Sequence, residues 1–180
     1  MTVTFDFRAD PILGEALSYW NRQRRNRAMP ARRDIDPLDV PRLLPNLQLV
    51  EVLEGGRRFR YRLVGTALVN AFGSEYTGKY LDELFSDERR QVAHHVFRTV
   101  CETRRPMFLR NSYGTRKNVQ MVANRLYMPL SQDGRTVNLI MGCLTFEYGV
   151  GTAPGLWGTA ALPLVTVDTQ PVELELAAGA

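Results

Sequence analysis

The stretch Phe59-Arg-Tyr-Arg-Leu-Val-Gly-Thr66 alternates between large apolar and basic side chains. Successive side chains of a strand point to opposite faces of a sheet, so the three large apolar residues should share one face and the arginines the other. Upstream, Gly55-Gly56 is typical of a hairpin turn, and Leu47–Glu54 has the composition of a partner strand. The sequence therefore predicts an antiparallel hairpin.

Short helical segments follow the hairpin, and a longer helix comes after them. Ala67–Phe72 precedes Gly73, a typical helix C-cap, and Tyr80–Phe85 predicts a second short helix. A longer helix is predicted from Ser86, an N-cap residue followed by acids, to about Arg104. This region should form a helical layer.

The last third of the chain is strand-like. Three strands are predicted at Met107–Tyr113, Val119–Leu130 and Thr136–Phe146, with turns at Gly114 and at Asp133-Gly134. The third strand is almost continuously apolar, which indicates a central strand covered on both faces.

The N-terminal segment predicts one more helix, from Asp10 to about Arg27, with Asp10-Pro11 as cap and first turn. We divide the chain into an N-terminal helical extension (1–46), a core domain (47–148) and a tail (149–180). The tail is either loose or forms edge strands, because Leu164–Asp168 and Val172–Leu176 alternate like strands.

This α+β order resembles a PAS domain, in which five antiparallel strands carry short helices on one face, here preceded by an N-terminal helix. Several motifs carry the resemblance: Phe59–Thr66, Phe72-Gly73, Tyr76-Thr-Gly78 and Leu81-Asp-Glu-Leu84. Three upstream motifs resemble those of stand-alone PAS-like proteins found mainly in alphaproteobacteria: Tyr19-Trp20, Arg33–Pro37 and Leu43-Leu-Pro45. The resemblance covers roughly residues 10–147.

The resemblance implies a bacterial, non-catalytic sensory or signalling module that binds a small ligand or a downstream signalling protein. The alternative is a pure protein-interaction or localisation adaptor with a filled core. The sequence has no phosphate loop, no nucleophile elbow and no His-Glu-x-x-His motif, so we expect no enzyme activity.

The composition limits the cellular location and the partners that we expect. The 180 residues contain no apolar run long enough for a membrane span, and the N-terminus does not read as a secretory signal. Two cysteines make no disulfide framework. We therefore expect a cytoplasmic protein without membrane contact. The net charge is +4, and the dense arginine cluster over 22–33 suggests either a solvated helix end or a phosphate-binding patch. Few aromatic residues interleave with it, which argues against nucleic acid.

The cofactor is unknown from the sequence. His94 and His95 are adjacent on the long helix, so both cannot point into a cavity, which argues against haem. Residues 76–90 contain no cysteine for flavin-thiol photochemistry. The two histidines and the distant Cys101 and Cys143 lack metal-ligand spacing, so no metal site is expected, and both cysteines read as small buried residues.

The cavity of a ligand-binding PAS domain would be lined by apolar side chains from the helices and the sheet. Our candidates are Leu68, Phe72, Leu84, Phe97, Met107, Met121 and Met141. Strand alternation does not tell which sheet face meets the helices, and packing of the core remains the alternative role for these residues. A homodimer is expected through the apolar stripe of the N-terminal helix.

Overall fold

Six strands form one antiparallel sheet in the order β2-β1-β5-β4-β3-β6. The computed structural model describes residues 6–85, 87–115 and 118–149 and the backbone of 164–171. The strands are β1 (Leu47–Leu53), β2 (Arg58–Val64), β3 (Met107–Thr115), β4 (Asn118–Leu130), β5 (Leu139–Tyr148) and β6 (Leu164–Pro171). The helices are α1 (Pro11–Arg24), α2 (Thr66–Phe72), α3 (Leu81–Leu84) and α4 (Asp87–Thr103), with short 3₁₀ turns at 7–9, 32–34, 37–39 and 44–46. The predicted α+β architecture, five antiparallel strands with short helices and an N-terminal helix, is confirmed.

The two faces of the sheet are covered by different parts of the chain. Helix α1 packs on β4 and β5, whereas α4 packs on β3 and β4. Helix α4 belongs to the helical layer, which also contains α2 and α3. Strand β5 lies in the interior of the sheet and is buried from Leu139 to Leu144, as its apolar sequence predicts. The N-terminal segment and the sheet share one hydrophobic core.

Local capping explains where the helices begin and end. The carboxylate of Asp10 accepts hydrogen bonds from the amides of Ile12 (2.9 Å) and Leu13 (3.1 Å), which fixes the start of α1. Gly73 takes a left-handed conformation (φ 69°) and its N–H donates to the carbonyl of Val69, which ends α2. The predicted N-cap Ser86 of α4 lies outside the described residues.

Two local predictions need correction. The alternation in β2 breaks at a register shift between Leu49 and Val50 of β1, so Phe59 and Tyr61 are buried while Leu63 is 42% exposed. Gly114 is not a turn: β3 continues to Thr115, with an irregular register beside this glycine.

The tail adds to the edge of the sheet. The backbone of β6 pairs antiparallel with β3 from Met107 to Tyr113. The strand predicted at Leu164–Asp168 falls within β6, and the one predicted at Val172–Leu176 lies outside the described residues. The tail therefore covers an edge of β3 that the five-stranded arrangement leaves open.

The apolar stripe of α1 is not a free surface. Leu13, Ala16, Leu17 and Trp20 are all buried within the same chain. This stripe is therefore not available for packing across subunits as we expected, and dimerisation itself stays a prediction.

Candidate functional site

A cavity of about 50 Å³ lies between the sheet and the helical layer. Five strands line it on one side through Gln48, Tyr61, Leu109, Asn111, Tyr113, Arg125, Tyr127 and Leu144. The helices and their connections line the other side through Phe72, Tyr76, Phe85, Arg89, Val92 and Ala93. Alternate residues of the strands point toward the helical layer. On the sheet side of the cavity these residues supply most of the polar groups of the lining.

Arg125 is the unusual member of this lining, since it is a charged side chain that is only 7% exposed. Its Nη1 donates to the side-chain carbonyl of Asn111, and its Nη2 donates to the hydroxyl of Tyr113 at 2.7 Å. Asn111 and Tyr113 lie on the adjacent strand β3, where they are buried themselves. The two neutral acceptors hold the guanidinium in one orientation against the sheet.

The charge on Arg125 has no acidic partner in the described part of the chain: no carboxylate oxygen lies within 4.0 Å of its guanidinium nitrogens there. Buried charges are costly and are normally paired. Burial lowers the pKa of Arg125, but the neighbouring tyrosines, Tyr113, Tyr127 and Tyr76, together raise it by more, so the net shift is upward. The guanidinium therefore stays charged.

Three tyrosines in the lining of the cavity, Tyr61, Tyr76 and Tyr127, keep their protons. Burial raises the pKa of Tyr127 to about 12, against the lowering effect of Arg125, and it also raises the pKa values of Tyr61 and Tyr76. The hydroxyl of Tyr76 donates to Gln48 at 3.3 Å. These phenols are neutral hydrogen-bonding groups at physiological pH.

A glycine makes the packing of the cavity floor possible. A Cβ at Gly142 would lie 2.8 Å from Cγ of Gln48 and 3.1 Å from Cδ1 of Tyr127. The first contact is closer than real Cβ atoms show and the second is tight, so the absence of a side chain at Gly142 leaves room for the side chains of Gln48 and Tyr127.

A second arginine stands beside the same tyrosine. The guanidinium carbon of Arg89 on α4 lies 5.0 Å from the ring centre of Tyr113, and that of Arg125 lies 5.6 Å from it. Cations near an aromatic ring are attracted by its quadrupole. Two cationic side chains thus line the cavity, and none of the lining residues in the described part of the chain is acidic.

Of the predicted cavity residues, Phe72 lines the cavity. Met121 lies beside it in a small cluster with Phe72 and Tyr113, and Phe97 packs 5.0 Å from Tyr127, measured between ring centres. The remaining four belong to the surrounding structure: Leu68 is buried on α2, Leu84 is half-buried, Met107 is buried on β3, and Met141 is buried on β5.

Strand alternation explains the position of Met141. It pairs with Leu49 and Met128, one position away from the pairs that Gly142 makes with Gln48 and Tyr127. Neighbouring residues of a strand face opposite sides of the sheet, so Met141 faces α1 and not the cavity.

Sequence reasoning missed the polar residues of the site, chiefly Arg125, Asn111 and Tyr113. A signal was present, because Asn124-Arg125 interrupts an otherwise apolar part of β4. An arginine within a strand that is buried on both faces needs a specific partner or ligand.

The histidines and cysteines show no cofactor geometry among the described residues. His94 is half-buried, with its Nε2 3.0 Å from the carbonyl oxygen of Arg57, and His95 is exposed. Burial raises the pKa of Cys101 to about 11 and that of Cys143 also upward. No group of three or more potential metal ligands occurs in the described part of the chain.

Several arginines of the N-terminal cluster make local contacts. Arg27 pairs with Asp34 at 2.7 Å, Arg24 bonds to Asn21, and Arg22 lies over the ring of Tyr19. None of the helices in the described part of the chain is both long and apolar enough to span a bilayer.

Comparison with protein families agrees with the fold. A family model described as a PAS domain matches residues 9–145, which is most of the chain. The chain therefore belongs to the PAS domain family, whose members are generally non-catalytic sensory and signalling modules. Comparison with curated proteins found no match.

The match begins within the N-terminal extension and ends in β5. It thus runs across the boundary that we placed at residue 46. The division of the chain into three parts and the narrower resemblance to alphaproteobacterial proteins stay predictions.

Proposed function

We propose that this chain is a sensory module that binds a small molecule in the cavity between the sheet and α4 and passes the change to a partner protein. The observation that carries the proposal is the cavity itself, which contains a buried, oriented Arg125. A protein that served only as an adaptor would have no reason to keep a charged group beside an unfilled space in its core.

The binding energy of a ligand can shift a conformational equilibrium only if the ligand contacts groups that move. The cavity meets this requirement because both layers contribute to it: Tyr127 and Arg125 from the sheet, and Val92 and Ala93 from α4. A molecule in the cavity would change how α4 rests on the sheet. We propose that a downstream signalling protein detects this change.

The setting that we propose is the bacterial cytoplasm. Both Cys101 and Cys143 are free thiols, which suits a reducing compartment. We keep a homodimer as part of the proposal, because PAS domains commonly dimerise.

The test is native mass spectrometry, together with an absorbance scan, of the protein purified from its own host. We expect a reproducible non-covalent adduct. An Ala93→Leu variant should lose the adduct because Ala93 lines the cavity, and Gln91→Leu on the exposed side of the same helix should keep it. Circular dichroism would verify that both variants are folded.

If neither the wild-type protein nor the variants carry an adduct, the result would contradict ligand sensing and favour the adaptor with a filled core. An adduct that survives in Ala93→Leu but is lost in Gln91→Leu would place the ligand elsewhere on α4.

A further inference from the structure

The charged side chains in the described lining of the cavity are all cationic. They are Arg89 and Arg125, and no acidic side chain of the described residues lines the cavity. Arg125 alone of the two is buried, and its two hydrogen bonds go to neutral acceptors, Asn111 and Tyr113. A buried cation without an anion is an incomplete arrangement, since the desolvation cost of the charge has no Coulombic compensation.

The guanidinium also retains donors for a further partner. Arginine has five N–H groups, and the two hydrogen bonds to Asn111 and Tyr113 use two of them. These bonds fix the plane of the group, so the donors that remain have a defined direction. A planar, oriented guanidinium suits the two oxygens of a carboxylate.

We propose that the cavity binds a small monocarboxylate whose carboxylate pairs with Arg125. This inference rests on the proposed function, because it requires that the cavity holds a ligand. Arg125 is one buried cation, so it favours a ligand with one negative charge, which balances the charge of this guanidinium. Tyr61, Phe72 and Val92, all in the lining, supply apolar surface for the rest of the molecule.

The size of the cavity limits the ligand. Its volume is about 50 Å³. One water molecule needs roughly 10–15 Å³ on this measure, so the cavity accepts about four water-sized groups. Acetate and propionate are of this size.

The test is an NMR titration of the ¹⁵N-labelled wild-type protein with acetate and propionate, each compared with its neutral amide, acetamide and propionamide. The amides have nearly the same shape and lack the charge. We expect saturable shifts of the backbone amides of Asn111 and Arg125 with the carboxylates. The amides should bind at least about tenfold more weakly, because hydrogen bonds between charged groups are stronger than neutral ones. The difference in free energy corresponds to about this factor in affinity or more.

A pair of variants tests the assignment to Arg125. Arg125→Gln should lose at least about tenfold in carboxylate affinity, whereas Arg62→Gln, the same change of charge on an exposed side chain, should keep wild-type affinity. If Arg125→Gln does not fold, the comparison of acid and amide on the wild-type protein decides alone.

Three outcomes would overturn the inference. If the amides bind as well as the carboxylates, the cavity is a ligand site but its ligand is neutral, and the proposed function stands without this inference. If inorganic phosphate or chloride gives equal shifts at the same concentration, the site takes anions in general. If neither acids nor amides bind and the host-purified protein carries no adduct, the inference and the proposed function both fail.

Discussion

The indole N–H of Trp20 donates a hydrogen bond of 2.9 Å to the carbonyl oxygen of Pro129, which lies 109 residues further along the chain. Trp20 is fully buried on α1, and Pro129 belongs to β4. Proline has no amide hydrogen, but its carbonyl oxygen still requires a donor when it is buried. This bond therefore joins the N-terminal helix to the interior of the sheet.

Replacing Trp20 with phenylalanine should destabilise the protein by about 2–4 kcal/mol, because it removes part of a buried ring and leaves the Pro129 carbonyl without its donor. Urea unfolding followed by circular dichroism would measure the change. Leu38→Ala is the control, since Leu38 is 86% exposed and surface changes have small effects. Equal stability of Trp20→Phe and wild type would show that α1 contributes little to the folded state.

Gly65→Ala should destabilise the fold by about 1–3 kcal/mol through overpacking. A Cβ at Gly65 would lie 2.3 Å from the carbonyl oxygen of Pro45 and 2.5 Å from that of Leu44, so the backbone would have to shift. The same urea experiment applies, with the exposed neighbour Thr66→Ala as control. If Gly65→Ala unfolds at the wild-type urea concentration, the 44–46 turn moves aside without cost.

The thiol of Cys101 should react very slowly with Ellman's reagent in the native protein. Its pKa of about 11, raised by burial, leaves only about one thiolate in a thousand at pH 8. Cys143 is buried, and burial raises its pKa as well. Both thiols should react promptly in guanidinium chloride. A rapid, stoichiometric reaction of the native protein would contradict this prediction and indicate an activated thiol.

Ending the chain at Gly149 should expose the edge of β3 that β6 covers. Unpaired backbone groups on a sheet edge promote pairing with another chain. We expect the shortened protein to self-associate, as measured by size-exclusion chromatography with light scattering at increasing concentration, with the full chain as reference. Identical masses at all concentrations would mean that β3 is protected by other means.

Much of the fold was predictable because local signals agreed with each other. The capping pair Asp10-Pro11, the glycine after Phe72 and the apolar run of β5 each act over a few residues, and the structure uses them as predicted. The fold also explains two of the motifs behind the resemblance. Leu43-Leu-Pro45 and Gly65 belong together because the glycine lies against the Pro45 carbonyl.

The site was less predictable, because it depends on which face of each strand meets the helices. That choice placed Met141 on the side of α1, although it lies one residue from Gly142 beneath the cavity floor. The hydrogen bond from Arg125 to Asn111 joins residues that are 14 positions apart on β4 and β3, so it depends on the register of these two strands. A bulge such as the one that exposes Leu63 is set by tertiary packing and leaves no clear pattern in the sequence.

The position of Pro129 on β4 has a consequence for how the cavity and α1 are connected. Arg125 and Tyr127 line the cavity, and Pro129, two residues beyond Tyr127, accepts the bond from Trp20. One short stretch of β4 therefore contacts both the cavity and the indole of Trp20. With Trp157 replaced by phenylalanine, the fluorescence of Trp20 becomes an optical probe of cavity occupancy that the protein carries in its own sequence.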